Sequence, residues 1–328
     1  MIKEDCIALD DPAAWRAALQ GIKHAFAHTW ENCYAMHLTT GYHTYLYRFE
    51  MENVRIVCPV AERPIGQYID IVNPYGFSGF VGTGDCAEFP VYWQRFMRRQ
   101  GYVCGYIGLN PVFANETYLD PAQRYQSNAV HLIDLTRSLE ELYHNLAKSR
   151  RAQLRNWEQF KENIVLEKSV VTTFFLDHYL DFFHDKNASS VYHFSDATLS
   201  FLTSLENLLI IGAGNAGTVE AVSVFVYTPH GGDYLFNISL PTGRQHAAPL
   251  LWYGIHELKS RGVPLLNLGG GVREEDGIAH FKERFGGEKL PLRALKQIYQ
   301  PELYEQLCRQ HNVDPTEMDG YFPAYRRP

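Results

Sequence analysis

TYLYRFEM and VRIVCPVAER are two β-rich runs rich in apolar positions, divided by a polar turn around Glu52 and Asn53, and this pattern predicts a hairpin. An amphipathic segment near Trp15 to Phe26 precedes it. QYIDIVNPYGFSGFVGTG passes from a strand into a loop dense in Gly and aromatics, and VYWQRFMRRQG reads as a helix closed by Gly101 before the strand-like YVCGYIGLNP. Further on, Ser138 and Glu141 form a capping box for a long helical pattern through Leu139, Leu142, Leu146, Leu154 and Trp157. Helices are expected near Thr172 to His184 and Ser195 to Leu208. NLLIIGA, TVEAVSVFVYT and DYLFNISLP then read as an antiparallel meander.

The next unit has a helix opened by Pro249, with Leu251, Ile255 and Leu258 as its buried stripe and Gly262 at its end, followed by VPLLNL as a short buried strand. Gly269-Gly270-Gly271 lead through a polar loop to Asp276, the expected N-cap of a helix with Ile278, Phe281 and Phe285 on one face and Gly286-Gly287 as its stop. LPLRALKQIY and a helix near Pro301 to Gln310 complete the chain. No solenoid repeat or low-complexity tract is visible.

At 328 residues, about 150 per domain makes two cores the expectation. The boundary is expected at Leu132 to Ser138, giving domains 1–135 and 136–328. A net charge of −7 works against a polyanion at long range, so any nucleic-acid contact has to be local. No apolar run approaches the roughly 20 residues of a membrane span, which leads to the expectation of a cytoplasmic protein. The six cysteines are scattered without a Cys-x-x-Cys pair, a spacing that suits free buried thiols.

Taken in order, the second half resembles the FemAB-like acyltransferases of the GNAT superfamily, a group that includes peptidoglycan-bridge aminoacyltransferases and BioF2-like acetyltransferases. The ordered pieces are KSRRAQLRNWEQF, the aromatic step VYHF, a meander ending in YLFNIS, a helix ending in LKSRG, LNLGGG and FKERFGG. NPYGFSG in the first half looks like the Pro-Tyr-Gly stretch of the same group. The resemblance covers roughly residues 40 to 305. It implies an α/β (α+β) fold of two tandem GNAT-like domains, mixed central sheets flanked by helices, with an acceptor groove by the first domain and acyl transfer near the second. No inserted pair of heptad-patterned helices is evident, so the coiled-coil arm of the large bridge-building members is missing and peptidoglycan as acceptor is not secured.

Several motifs carry two readings. Gly212 to Gly217 match the spacing of a dinucleotide fingerprint, but a β-branched run follows where a helix is required, which favours a hairpin turn. Gly269, Gly270 and Gly271 suit close approach of a ligand, or only a crossover needing positive φ. Arg150, Arg151 and Arg155, with Lys148 and Lys161, form the densest basic segment: a phosphate-binding surface, or a solvated helix face. His24 and His28 share helical spacing without the Glu of a metalloprotease, so no metal site is expected.

The chemistry implied by the resemblance is direct attack of an amine on an ester or thioester carbonyl, with no permanently bound cofactor. Aminoacyl-tRNA is the leading donor, acyl-CoA the close rival, and an amine-bearing peptide or cell-wall precursor the acceptor. A GNAT-like binding protein without turnover is the other class, and Lys282 within FKERF argues against it. The resemblance puts Lys282 and the main chain at Phe281 on the oxyanion, and Pro74, Tyr75, Gly76 and Tyr192 on substrate. On the helix, Lys282 lies roughly 100° from Phe281, off the core. Its bland reading is a surface pair with Glu274 or Glu275.

Overall fold

The computed structural model describes residues 2–186, 188–215, 218–271 and 276–327. Two compact units emerge, one of residues 1–127 with 291–328 and one of 128–290. The C-terminal 38 residues therefore lie with the first unit, not with the second as expected from the sequence.

The first unit starts with β1 (Ile2–Ala8), α1 (Pro12–Leu19) and α2 (Trp30–Thr40), then the expected hairpin of β2 (Thr44–Met51) and β3 (Val54–Ile65). Met51 pairs with Val54 across a two-residue turn that holds Glu52 at φ 54°, the left-handed conformation such tight turns require. β4 (Tyr68–Val72), β5 (Val81–Thr83), α3 (Phe89–Arg99) and β6 (Cys104–Gly108) follow. In β2 Tyr45, Tyr47 and Phe49 enter one core with Trp93, Phe96 and Met97 of α3, while Leu46 enters another with Trp15 and Leu19 of α1. A sheet covered on both faces explains why Tyr45, Leu46 and Tyr47 are apolar in succession.

The second unit contains β7 (Arg124–Asp134) from Asn128 onward, then α4 (Leu139–Asn145), α5 (Lys148–Gln153), α6 (Trp157–Phe160), β8 (Ile164–Val165), α7 (Lys168–Asp185) and α8 (Asp196–Ser204). The meander is β9 (Leu208–Ala213), β10 (Ala221–Thr228) and β11 (Gly231–Ser239). α9 (Ala247–Ser260), β12 (Leu265–Asn267) and α10 (Gly277–Glu283) complete it. β13 (Glu288–Ile298) and α11 (Pro301–Gln310) return the chain to the first unit.

The expected long helix from Leu139 to Trp157 is instead three short ones. Leu146 and Ala147 are extended, at ψ 143° and 149°, and the Ala147 N–H donates to Arg284 O at 3.0 Å. A tertiary bond thus overrides a continuous apolar stripe, of which Leu142, Leu146 and Leu154 remain buried. The glycines from Gly212 end β9 and β10 follows antiparallel, as a hairpin and not a dinucleotide turn; Ala216 and Gly217 lie outside the described residues.

The two units repeat one plan without a visible sequence repeat. In the first, antiparallel β1 to β4 are joined by a parallel β6 delivered across α3, with the 294–298 stretch of β13 antiparallel beside it. In the second, antiparallel β8 to β11 are joined by a parallel β12 delivered across α9, with β7 antiparallel beside it. Each parallel contact registers only two residue pairs, Ile71↔Gly105 and Val72↔Tyr106 in one, Gly232↔Leu266 and Asp233↔Asn267 in the other. β4 ends at Val72, its last pair with β6, whereas β11 runs on to Ser239 past its two pairs with β12 and so leaves a fork, which is where a ligand can enter such a sheet.

Candidate active site

The fork of the second unit leads directly into the glycine loop. Asn267, the last residue of β12, accepts the Gly269 N–H on its Oδ1 at 2.8 Å, a side-chain turn of the kind Asn favours. Gly269 has φ +71°, and a Cβ at Gly270 would lie 2.3 Å from Ala129 O, so neither position admits a larger residue without movement. The loop is fixed to β7 by His131 N–H to Gly269 O at 3.2 Å and by Asn128 Nδ2 to Gly271 O at 2.9 Å.

Lys282 lies over this loop. Its Nζ donates to Gly270 O at 2.7 Å and would be 3.0 Å from a Cβ on Gly269. Burial pushes its pKa down to about 8, opposed in part by Asp276. Among the described residues it forms no ion pair; Glu274 and Glu275, the partners of the bland reading, lie outside them. Asp276 caps α10 as expected, its Oδ1 accepting the N–H groups of Ile278 and Ala279 at 2.9 and 2.8 Å.

Two features of this helix differ from expectation. Ile278 is 49% exposed, so the buried stripe reduces to Phe285 and half-buried Phe281. Asp276 takes the Ile278 and Ala279 N–H groups on its side chain and the His280 N–H on its carbonyl, and Phe281, the fifth residue of α10, lies beyond the orphan donors of a helix start. Its main chain is therefore not placed as an oxyanion donor. The register shift at Val224/Phe225 marks a β-bulge that passes over Leu235 of β11.

The basic segment also changes meaning. Arg150 is buried, donates from Nη1 to Gln153 Oε1 at 2.6 Å and from Nη2 to Phe281 O at 3.0 Å, and lies 4.5 Å from the ring centres of both Phe281 and Phe285. Burial, with Arg284 near, lowers its pKa to about 10. It is a strut for α10 and not a phosphate ligand. Arg151 caps the carbonyls of His144 and Leu146 at 2.6 and 2.8 Å, whereas Arg155 and Lys148 are exposed.

Tyr192 lies in the turn between α7 and α8, stacked on Phe183 at 5.3 Å; Phe183 in turn meets Phe236 of β11. Pro74, Tyr75 and Gly76 follow β4 in the first unit and are not gathered with Lys282 inside one unit. Their loop is tightly held: Asn32 Nδ2 donates to Tyr75 O at 3.0 Å, His28 Nε2 to Ser78 O at 2.7 Å and Asn110 Nδ2 to Phe77 O at 2.9 Å. Gly76 has φ +112°, with a would-be Cβ 2.8 Å from that of Ala27. Burial drives the His28 pKa down to about 3, and its neutral ring accepts the Ala25 N–H on Nδ1 while Nε2 holds the loop.

Sequence reasoning did not single out Asp233 and Asn267. The available signal was a charged residue opening an apolar meander strand and an amide inside VPLLNL, since polar groups in buried strands are the informative exceptions.

No family model and no curated protein matches the sequence. Solved structures do match its fold. FemX aligns over 93% of this chain and 99% of its own, with a TM-score of 0.66 and 9% identity. A Bacteroides thetaiotaomicron protein of unknown function covers 91% of this chain and 100% of its own at a TM-score of 0.62 and 11% identity. The C-terminal domain of a lysylphosphatidylglycerol synthetase from Agrobacterium fabrum covers 92% and 96% at 0.58 and 14%. The chain thus shares the fold of FemX and of that synthetase domain, built here as two units.

Proposed function

We propose that the second unit is an acyltransferase centre that joins an activated acyl or aminoacyl group to an amine, forming an amide. The observation that carries this reading is the ammonium of Lys282 held over Gly269 and Gly270, beside a strand fork and a bulge. In direct aminolysis the protein's task is to orient two reactants and stabilise the tetrahedral oxyanion, and no covalent enzyme intermediate is needed. Lys282 supplies a cation to the carbonyl oxygen. Gly269 to Gly271 let the carbonyl approach the backbone. Tyr192 contributes to holding substrate in this unit, and the loop of Pro74, Tyr75 and Gly76 is the substrate-binding loop we assign to the first unit.

Aminoacyl-tRNA is the donor we favour, because the fold is shared with FemX and a lysylphosphatidylglycerol synthetase domain. Acyl-CoA is the second reading, favoured by the commitment of Arg150 and Arg151 to internal carbonyls, which leaves fewer cations for a polyphosphate. Incubation with mixed aminoacyl-tRNAs and, separately, with acetyl-CoA, each with and without a pool of amines, separates the two by amine-dependent consumption of donor. In whichever reaction proceeds, Lys282→Met should lower turnover about 10²–10³-fold while the protein stays folded. Amine-dependent transfer from neither donor, or near-normal turnover by folded Lys282→Met, rejects the proposal.

A further inference from the structure

Asp233 stands at the fork with no function in the account above. It is the last β11 residue paired with β12, and its neighbour there, Asn267, donates from Nδ2 to Asp233 Oδ1 at 3.1 Å while its own Oδ1 holds the Gly269 N–H at 2.8 Å. One amide therefore couples the carboxylate to the glycine loop under Lys282. Register places Asp233 opposite Val226 and Phe236 opposite Val224, so these two β11 side chains share a face of the sheet. Phe236 on that face meets Phe183, on which Tyr192 stacks. Among the described residues Asp233 forms no ion pair, and Asn267 is the donor on its carboxylate. A half-buried carboxylate without a cation is costly to keep for stability alone.

We propose that Asp233 is the proton acceptor of the reaction, taking a proton from the ammonium of the incoming amine. This rests on the acyl-transfer reading above. An R–NH3+ group at the fork gives its proton to the Asp233 carboxylate, which becomes the neutral acid, and the free amine attacks the donor carbonyl. Collapse of the tetrahedral species breaks the bond from carbon to the leaving oxygen or sulfur, and the second amine proton passes to that leaving group. Asp233 then releases its proton to water, so the net products are amide, alcohol or thiol, and one proton. Burial raises the Asp233 pKa to about 6, partly countered by Asn267, which keeps it ionised at neutral pH yet basic enough to accept.

The test compares two nucleophiles with whichever donor is active: methylamine, which is protonated at neutral pH, and hydroxylamine, which is not. Asp233→Asn preserves shape and the Asn267 contact. The expected result is a loss of about 10²–10⁴-fold in kcat/KM for methylamine, with hydroxylamine-dependent transfer largely retained, and recovery of methylamine transfer as pH is raised. Equal loss with both nucleophiles, or no loss with either, overturns the assignment. If the variant does not fold, the wild-type pH profile decides, with the less basic methoxyamine in place of hydroxylamine, which itself takes up a proton in this range: an acid limb near pH 6 must appear with methylamine and be absent with methoxyamine. Wild-type protein that transfers to neither nucleophile from either donor defeats the acyl-transfer reading itself, an outcome distinct from a selective Asp233 effect.

Discussion

Lys282 shows how one residue's burial sets its pH behaviour. Its ammonium is useful to an oxyanion only while protonated, so turnover should fall as pH rises through about 8, and Lys282→Met should lack that alkaline limb; a pH–rate profile of both proteins checks it. The stability effect has the opposite sign from that of a lysine gaining an anionic partner. Between about 8 and the ordinary value of 10.5 the folded state releases a proton that the unfolded state keeps, so stability rises over that window, and Lys282→Met should flatten the rise in denaturant titrations. Arg150 and Arg155 make a second contrast. Arg150→Met removes a hydrogen bond to Phe281 O and should cost about 1–3 kcal/mol, measured as a lower denaturant midpoint. Arg155→Ala, at an exposed position, should leave the midpoint within about 0.5 kcal/mol and weaken the salt dependence of tRNA binding by about one charge if that donor is used.

At the scale of elements, the glycine loop is the part with least freedom. Gly269→Ala has to place a Cβ at φ +71° and 3.0 Å from Lys282 Nζ. The left-handed conformation costs about 1–2 kcal/mol, and the displaced lysine should lower turnover beyond what that loss of stability explains. Thermal unfolding beside single-turnover rates separates the two effects. This loop, with α10 and its Asp276 cap, was legible from the order of Gly, Asp and apolar residues alone, because caps and turns are decided by neighbours a few residues apart. The β2–β3 hairpin, α3, the meander and α9 were legible for the same reason. Other elements depend on distant partners and were not. β1 exists because Ile2 to Ala8 pair with Tyr45 to Met51, the helix after Ser138 breaks where Ala147 meets Arg284, and Asp233 gains meaning only from Asn267, 34 residues away. Periodicity reports a face, not the residue that will come to lie against it.

For the whole molecule, the consequential finding is that the chain finishes in the unit where it began. Leu295 and Tyr299 join the core of α3, and Tyr304, Leu307, Phe322 and Tyr325 close a further cluster over Val103 and Cys104. Asp70, fully buried, accepts from Arg63 Nε at 2.7 Å, Arg326 Nε at 2.6 Å and Tyr325 OH at 3.1 Å, so the last residues complete a charge cluster that β3 and β4 begin. Lys296 is tied to the same segment through Met318 O and Gly320 O. Composition could not reveal this return, since the α11 pattern suits either unit equally well. Ending the chain after Gly320 keeps both Lys296 acceptors but removes Phe322, Tyr325 and Arg326. Loss of a buried aromatic alone costs about 3–5 kcal/mol, a large share of the 5–15 kcal/mol that holds a typical domain folded, and the shortened chain also leaves Asp70 with one cation in place of two. The expected outcome is a marked fall in unfolding midpoint, with amide exchange accelerated first in peptides from 1–127. Exchange that instead accelerates first in peptides from 128–290 would show that the C-terminal segment supports the second unit, against the architecture described.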